Sequence, residues 1–281
     1  MTPGKSQVRS QKSEATRGVV RHLRLQTSDF RLLAVAVLVL AAATTALAQR
    51  RGGFGGGRFG PIPIQPNAPY TGQFTFVRIR YGPDYGYASQ RLMWSHDYPA
   101  GEQHFMKILN EVTYLNPRTE ETSILPLDSP ELFRYPIAYL CEPGNWDMSE
   151  REVEGLRAYL QKGGFLIVDD FRYQHWGNFE TQIRRVLPQA RIDDLDLSSP
   201  IFHGFFEIKT LDVPQYYDPP PAIFRAIYEE NDPSKRIMVM INYNTDISEY
   251  WEWSDTGLKP IDESNEAYKL GVNYIVYGMT H

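Results

Sequence analysis

Two adjacent carboxylates close an apolar run, Phe165-Leu166-Ile167-Val168-Asp169-Asp170, and Tyr173, His175 and Trp176 follow at once. Carboxylates at the end of a buried strand, with an imidazole six residues past the first, are suited to two chemistries. They can bind a divalent metal, or run acid–base chemistry once burial raises one carboxyl pKa. The competing reading is that Asp169 or Asp170 fixes its own loop by accepting backbone N–H bonds. Successive strand residues point to opposite faces, so one pocket is expected to receive only one of the two. A second group, Asn244, Asp246 and Glu249, follows another apolar run and can converge on the first from a neighbouring strand end. Tyr250-Trp251-Glu252-Trp253 beside it reads either as a stacking surface for a sugar or as an aromatic cover on the core. Tyr81 and Asp84, in the aromatic loop at residues 81–87, complete the rim, and His203 is read as a hydrogen-bonded core histidine.

The ligand-binding candidates are therefore Asp169, Asp170, His175, Asp246, Glu249, Tyr81 and Asp84. No His-x-x-x-His spacing accompanies them, so neither a metal nor a cofactor is assigned. Gly-x-Ser-x-Gly elbows and Walker-type loops are missing, and no Gly-x-Gly-x-x-Gly follows a strand to open a helix. The single cysteine, Cys141, excludes an intramolecular disulfide and reads as a small buried hydrophobe within its apolar run.

Elements must hold these residues in place. Residues 74–80 alternate apolar and polar, as a half-buried first strand does. An amphipathic helix is expected over residues 102–113, then short strands at residues 123–125 and 137–141. Ser149 and Glu152 form a capping box that opens a helix ended by Gly163-Gly164. The continuous apolar run at residues 165–168 suits a central parallel strand, which makes a right-handed βαβ unit. Further helices are expected at residues 178–186 and 267–277, and a strand at residues 236–242. The economical fold is a three-layer α/β architecture, a mostly parallel sheet flanked by helices.

Four segments stand out together: Gly163-Gly164-Phe165-Leu166-Ile167-Val168-Asp169-Asp170-Phe171, Ser199-Pro200-Ile201-Phe202-His203, Asn244-Thr245-Asp246-Ile247, and the ending from Leu270 to His281. They resemble a bacterial family, the domain of unknown function 4159. The resemblance covers about residues 72–281 and implies a class I glutamine amidotransferase-like, flavodoxin-like architecture, with relatives that tend to be exported or membrane-linked. Amidotransferases carry a nucleophilic cysteine on an elbow after a central strand. Here that strand end offers Asp169 and Asp170, and Cys141 lies one strand earlier without a Gly-x-Cys-x-Gly setting, so amidotransferase chemistry is not carried over.

The front of the chain reads as an export signal. A basic, polar stretch precedes an apolar segment at residues 32–43, which ends in Ala46-Leu47-Ala48 before Gln49. Twelve apolar residues are short of the roughly 20 that span a bilayer, so residues 1–48 are expected to be a cleaved signal peptide, with an uncleaved anchor as the alternative. Residues 49–71 read as a Gly/Pro-rich tether and residues 72–281 as a single domain. Removing residues 1–48 leaves 22 basic and 32 acidic residues, a net charge of −10. That charge excludes nucleic acid as a partner and leaves the membrane only as an attachment through an uncleaved N-terminal segment. The expectation is an exported cell-envelope module, periplasmic or extracellular, that binds a protein partner, a small molecule or a carbohydrate. The alternative is a hydrolase, metal-assisted or not, acting on envelope carbohydrate or peptide through an Asp/His pocket.

Overall fold

Apolar runs bounded by turn residues become the strands of one sheet. The computed structural model describes residues 61–89, 91–213 and 221–281. The strands are β1 (Ile62–Pro63), β2 (Val77–Ile79), β3 (Tyr87–Ala88), β4 (Ser123–Leu125), β5 (Ile137–Cys141), β6 (Phe165–Phe171), β7 (Asp193–Asp194), β8 (Ile223–Tyr228) and β9 (Ile237–Tyr243). The helices are α1 (Ala100–Val112), α2 (Glu150–Gln161), α3 (His175–Val186), α4 (Ile247–Glu252) and α5 (Ile261–Thr280). Seven strands form the main sheet in the order β4-β2-β5-β6-β9-β8-β7. Its first five are mutually parallel, and β8 and β7 add an antiparallel edge.

Strand alternation divides the core into two layers. Ile137, Tyr139, Phe165 and Ile167 pack with Phe105 and Leu109 of α1, Trp251 of α4 and Tyr274 of α5. Ala138, Leu140, Leu166 and Val168 face Val153 and Leu156 of α2 and Phe179 and Ile183 of α3. Because both faces are covered, the central strands are buried along their whole length. The fold is thus the three-layer α/β arrangement, a mostly parallel sheet between helical layers.

Local signals act as their chemistry requires. The Ser149 hydroxyl accepts from the Glu152 N–H, while the Glu152 carboxylate accepts from the Ser149 N–H at 2.8 Å. Gly163 ends α2 at φ 105°, a backbone conformation that residues with a Cβ rarely adopt. Three features differ from expectation. The first strand is buried on both faces, since Arg78 finds an ion partner inside the protein. His175 opens α3, which starts three residues before the helix expected over residues 178–186. The packed domain also begins before residue 72. Ile62 and Pro63 pair with β3, the Asn67 amide clasps the Ile124 backbone through both its oxygen and its nitrogen, and Ala68 is buried. The stretch expected to be a signal peptide, residues 1–48, and the expected tether as far as residue 60 lie outside the described residues. Among the described residues no helix is long and apolar enough to cross a membrane.

The chain leaves β2 through α1 toward β4, and leaves β5 through α2 toward β6, in opposite directions along the sheet. The carboxyl ends of β2 and β5 therefore flank a topological switch point, where open α/β sheets form a crevice.

Candidate functional site

Four chain segments meet at that edge of the sheet. The β2–α1 connection supplies His96 and Asp97, β5 leads into Glu142, the end of β6 carries Asp169 and Asp170 just before Phe171, and β9 leads into Asn244 and Asp246. Asp97, Glu142, Asp170 and Asn244 all adopt left-handed backbone, at φ 61°, 50°, 58° and 59°. For a residue with a Cβ this conformation costs about 1–2 kcal/mol, least for Asn and Asp. Together with a register shift between Val168 and Phe171, it breaks strand alternation where β6 meets the edge.

Asp169 faces inward and is held by fixed donors. Its carboxylate accepts from the Tyr139 hydroxyl at 3.0 Å, the Asn242 amide at 3.1 Å and the backbone N–H groups of Ile247 and Ser248 at 3.1 Å each. Asn242 in turn accepts from the Tyr274 hydroxyl at 3.0 Å. Burial and the neighbouring Asp170 push the Asp169 pKa up to about 6, with these donors restraining the rise. This carboxylate fixes the turn into α4, as the loop-fixing reading expects.

Asp170 faces a different company. Its Oδ2 lies 3.0 Å from His96 Nδ1 and 3.5 Å from Cys141 Sγ. Its Oδ1 is buried and reached by no hydrogen-bond donor, with the Arg172 guanidinium 3.6 Å away. Asp246, a second buried carboxyl, neighbours Asp170 and helps hold its pKa down. Asp97 accepts from the Ser248 hydroxyl, which itself accepts from Tyr139 at 2.7 Å. Glu142 Oε2 stands 3.6 Å from His175 Nδ1, and neither atom has a hydrogen-bond partner.

The electrostatics follow from crowding. Burial alone would lower the His96 pKa, but its hydrogen bond to Asp170 and the charge of that carboxylate push it up to about 9. Burial would raise Asp170, and His96 outweighs it and holds Asp170 below the usual carboxylate range. Burial and then the Asp170 charge raise Asp97 and Asp246, and push Glu142 up to about 8. Burial also drives the Cys141 thiol upward, the opposite of what a nucleophilic cysteine needs.

The loop bearing His96 is anchored from within. Arg78 grips Glu102 through two bonds, Nε to Oε1 at 3.0 Å and an NH2 nitrogen to Oε2 at 2.8 Å. Its remaining nitrogen donates to the carbonyls of Trp94 at 3.2 Å and His96 at 2.9 Å. At Gly144 a Cβ would stand 2.3 Å from Cγ of His175, so a residue without a side chain is needed where that ring packs.

Of the residues singled out from sequence, Asp169, Asp170 and Asp246 come together. His175 joins Glu142 instead of the aspartate pair. Glu249 turns away to an ion pair with Lys259 at 2.8 Å and gives the site only its N–H, which donates to Asp246 at 2.9 Å. The Tyr81 hydroxyl donates to the carbonyls of Cys141 and Glu142, bracing the end of β5. Asp84 caps its own exposed turn by accepting from the Gly86 N–H at 2.9 Å. Tyr250 and Trp251 are core residues, with Trp251 stacked on Phe105 at 4.2 Å. His203 is no core residue; it is partly exposed and 3.0 Å from Glu207. Sequence reasoning missed His96, Asp97, Glu142 and Arg172. The signal was present in part: a His-Asp pair and a strand-end Glu sit in loops that follow the same sheet edge as Asp170.

Fold and site together define a doubly wound α/β protein with an ionisable cluster at its switch point. Within that class, a family profile described as domain of unknown function (DUF4159) matches residues 75–279, and the chain belongs to this family. Comparison with the curated proteins gives no match.

Proposed function

We propose that this is an exported cell-envelope module that binds a small ligand or a partner's polar group at the carboxyl edge of its sheet, without amidotransferase chemistry. One observation carries the reading. At the switch point, the buried carboxylates Asp97, Asp170 and Asp246 neighbour the partly exposed His96 and Arg172, and Glu142 pairs with the partly exposed His175, so ionisable groups are reachable from solvent. The amidotransferase-like architecture remains part of this proposal. Against its chemistry stand a fully buried Cys141 and the absence, among the described residues, of any histidine hydrogen-bonded to it.

Hydrolysis is the second reading, favoured by Glu142. A carboxyl with a pKa of about 8 keeps its proton at neutral pH, and it lies 3.6 Å from an imidazole on the solvent side. The two readings separate on turnover. The purified chain is to be incubated with amide, ester and glycoside substrates, and screened against amines, sugars and peptides by thermal shift. Capture without turnover, lost in His175→Ala, is the expected result. Turnover that disappears in Glu142→Gln would put the hydrolase first and sink the binding-only reading.

A further inference from the structure

We propose that His96, Asp97 and Asp170 form a divalent-cation site at the switch point. The inference rests on the binding reading and gives its ligand a chemical class.

One imidazole nitrogen and one carboxylate oxygen from each aspartate already lie within 4.8 Å of one another. Around an ion with bonds of about 2.1 Å, ligand atoms stand roughly 3–4 Å apart, so side-chain rotations of an ångström or less close the shell. Both aspartates are buried, whereas the His96 side chain is 30% exposed, which leaves a path from solvent to the three donors.

A further observation points to a cation. The buried Asp170 Oδ1 is reached by no hydrogen-bond donor, and the Arg172 guanidinium comes no closer than 3.6 Å. An oxygen desolvated in this way is costly unless a positive charge satisfies it.

The ligands are also oriented from behind, as metal ligands commonly are. The Ser248 hydroxyl donates to Asp97 and accepts from Tyr139, and Arg78 holds the His96 carbonyl at 2.9 Å. One imidazole with two carboxylates suits manganese or zinc better than a soft ion. Cys141 Sγ, 3.5 Å from Asp170, is not a member of the set.

The test uses the purified chain, stripped with chelator and titrated calorimetrically with Mn2+ and Zn2+ chlorides. One ion per chain is expected, with affinity lowered at least about tenfold in Asp170→Asn and in His96→Ala, and unchanged in Asp84→Asn. His96 is partly exposed, so its variant keeps the test open if Asp170→Asn fails to fold. X-ray absorption of the zinc form should show nitrogen and oxygen neighbours. Less than stoichiometric uptake of both ions overturns the proposal, as does full affinity in His96→Ala, or a sulfur neighbour, which would place the ion on Cys141. A chain that takes up neither ion yet captures an amine or peptide at the edge overturns the cation site alone and leaves the binding module standing.

Discussion

Asp169 and Asp170 are neighbours in sequence, equally buried, and opposite in their surroundings. Asp169 is met by four fixed donors from β5, β9 and the first turn of α4. Asp170 has one imidazole, a distant guanidinium and other carboxyls. The difference teaches that burial alone does not assign a carboxylate its role. A carboxylate whose lone pairs are taken by rigid donors holds structure, and one left among titratable groups is available to something mobile, a proton or a cation.

Substitutions can break that comparison. Asp169→Ala removes the acceptor of four buried hydrogen bonds; at about 1 kcal/mol each, the loss is about 4 kcal/mol, to be read as a fall in the denaturation midpoint. Asp170→Asn is expected to change stability by no more than about 1 kcal/mol at neutral pH, because losing the His96 contact is offset by relief of repulsion among carboxyls. Its larger effect is on titration: by NMR, the His96 pKa should fall from about 9 toward its ordinary value, and that of Glu142 from about 8. An equal stability loss at both aspartates would end the distinction.

A pH series sharpens it. His96 is raised on folding, so its contribution is present below pH 6.5 and is lost as pH rises through about 9. Glu142 is a raised acid; the folded state binds its proton more tightly than the unfolded chain, and that advantage fades from about pH 4.5 to about 8. Both signs agree, and the metal-free chain should melt at a lower temperature at pH 9 than at pH 6, with a shallower slope in Glu142→Gln. The smallest effect belongs to Asp84→Asn on its exposed turn, expected to stay within about 0.5 kcal/mol in the same melts. A larger change there would extend the site to the rim.

Much of the scaffold could be read from local chemistry. The Ser149–Glu152 capping box, the glycine stop at Gly163 and the apolar run into β6 each specify their element within a few residues. Asp169 and Asp170 were visible for the same reason, since a charge ending a buried strand is conspicuous. His96 and Asp97 were not, because residues 90–99 carry no periodicity and their place depends on Arg78 reaching across from β2. Nor could spacing say that left-handed backbone would swing Asp170 toward His96, or that the α3 N-terminus would set His175 against Glu142.

The interior anchor of that loop has a consequence for engineering. Arg78 ties the carbonyls of Trp94 and His96 to the middle of a strand, while residues 82–86 form an exposed turn held mainly by its own contacts. The edge therefore has a hinge-free half and a replaceable half. A graft that lengthens the turn should leave the imidazole where it is. Recoding Arg78 or Glu102, out of sight of any ligand, should displace it.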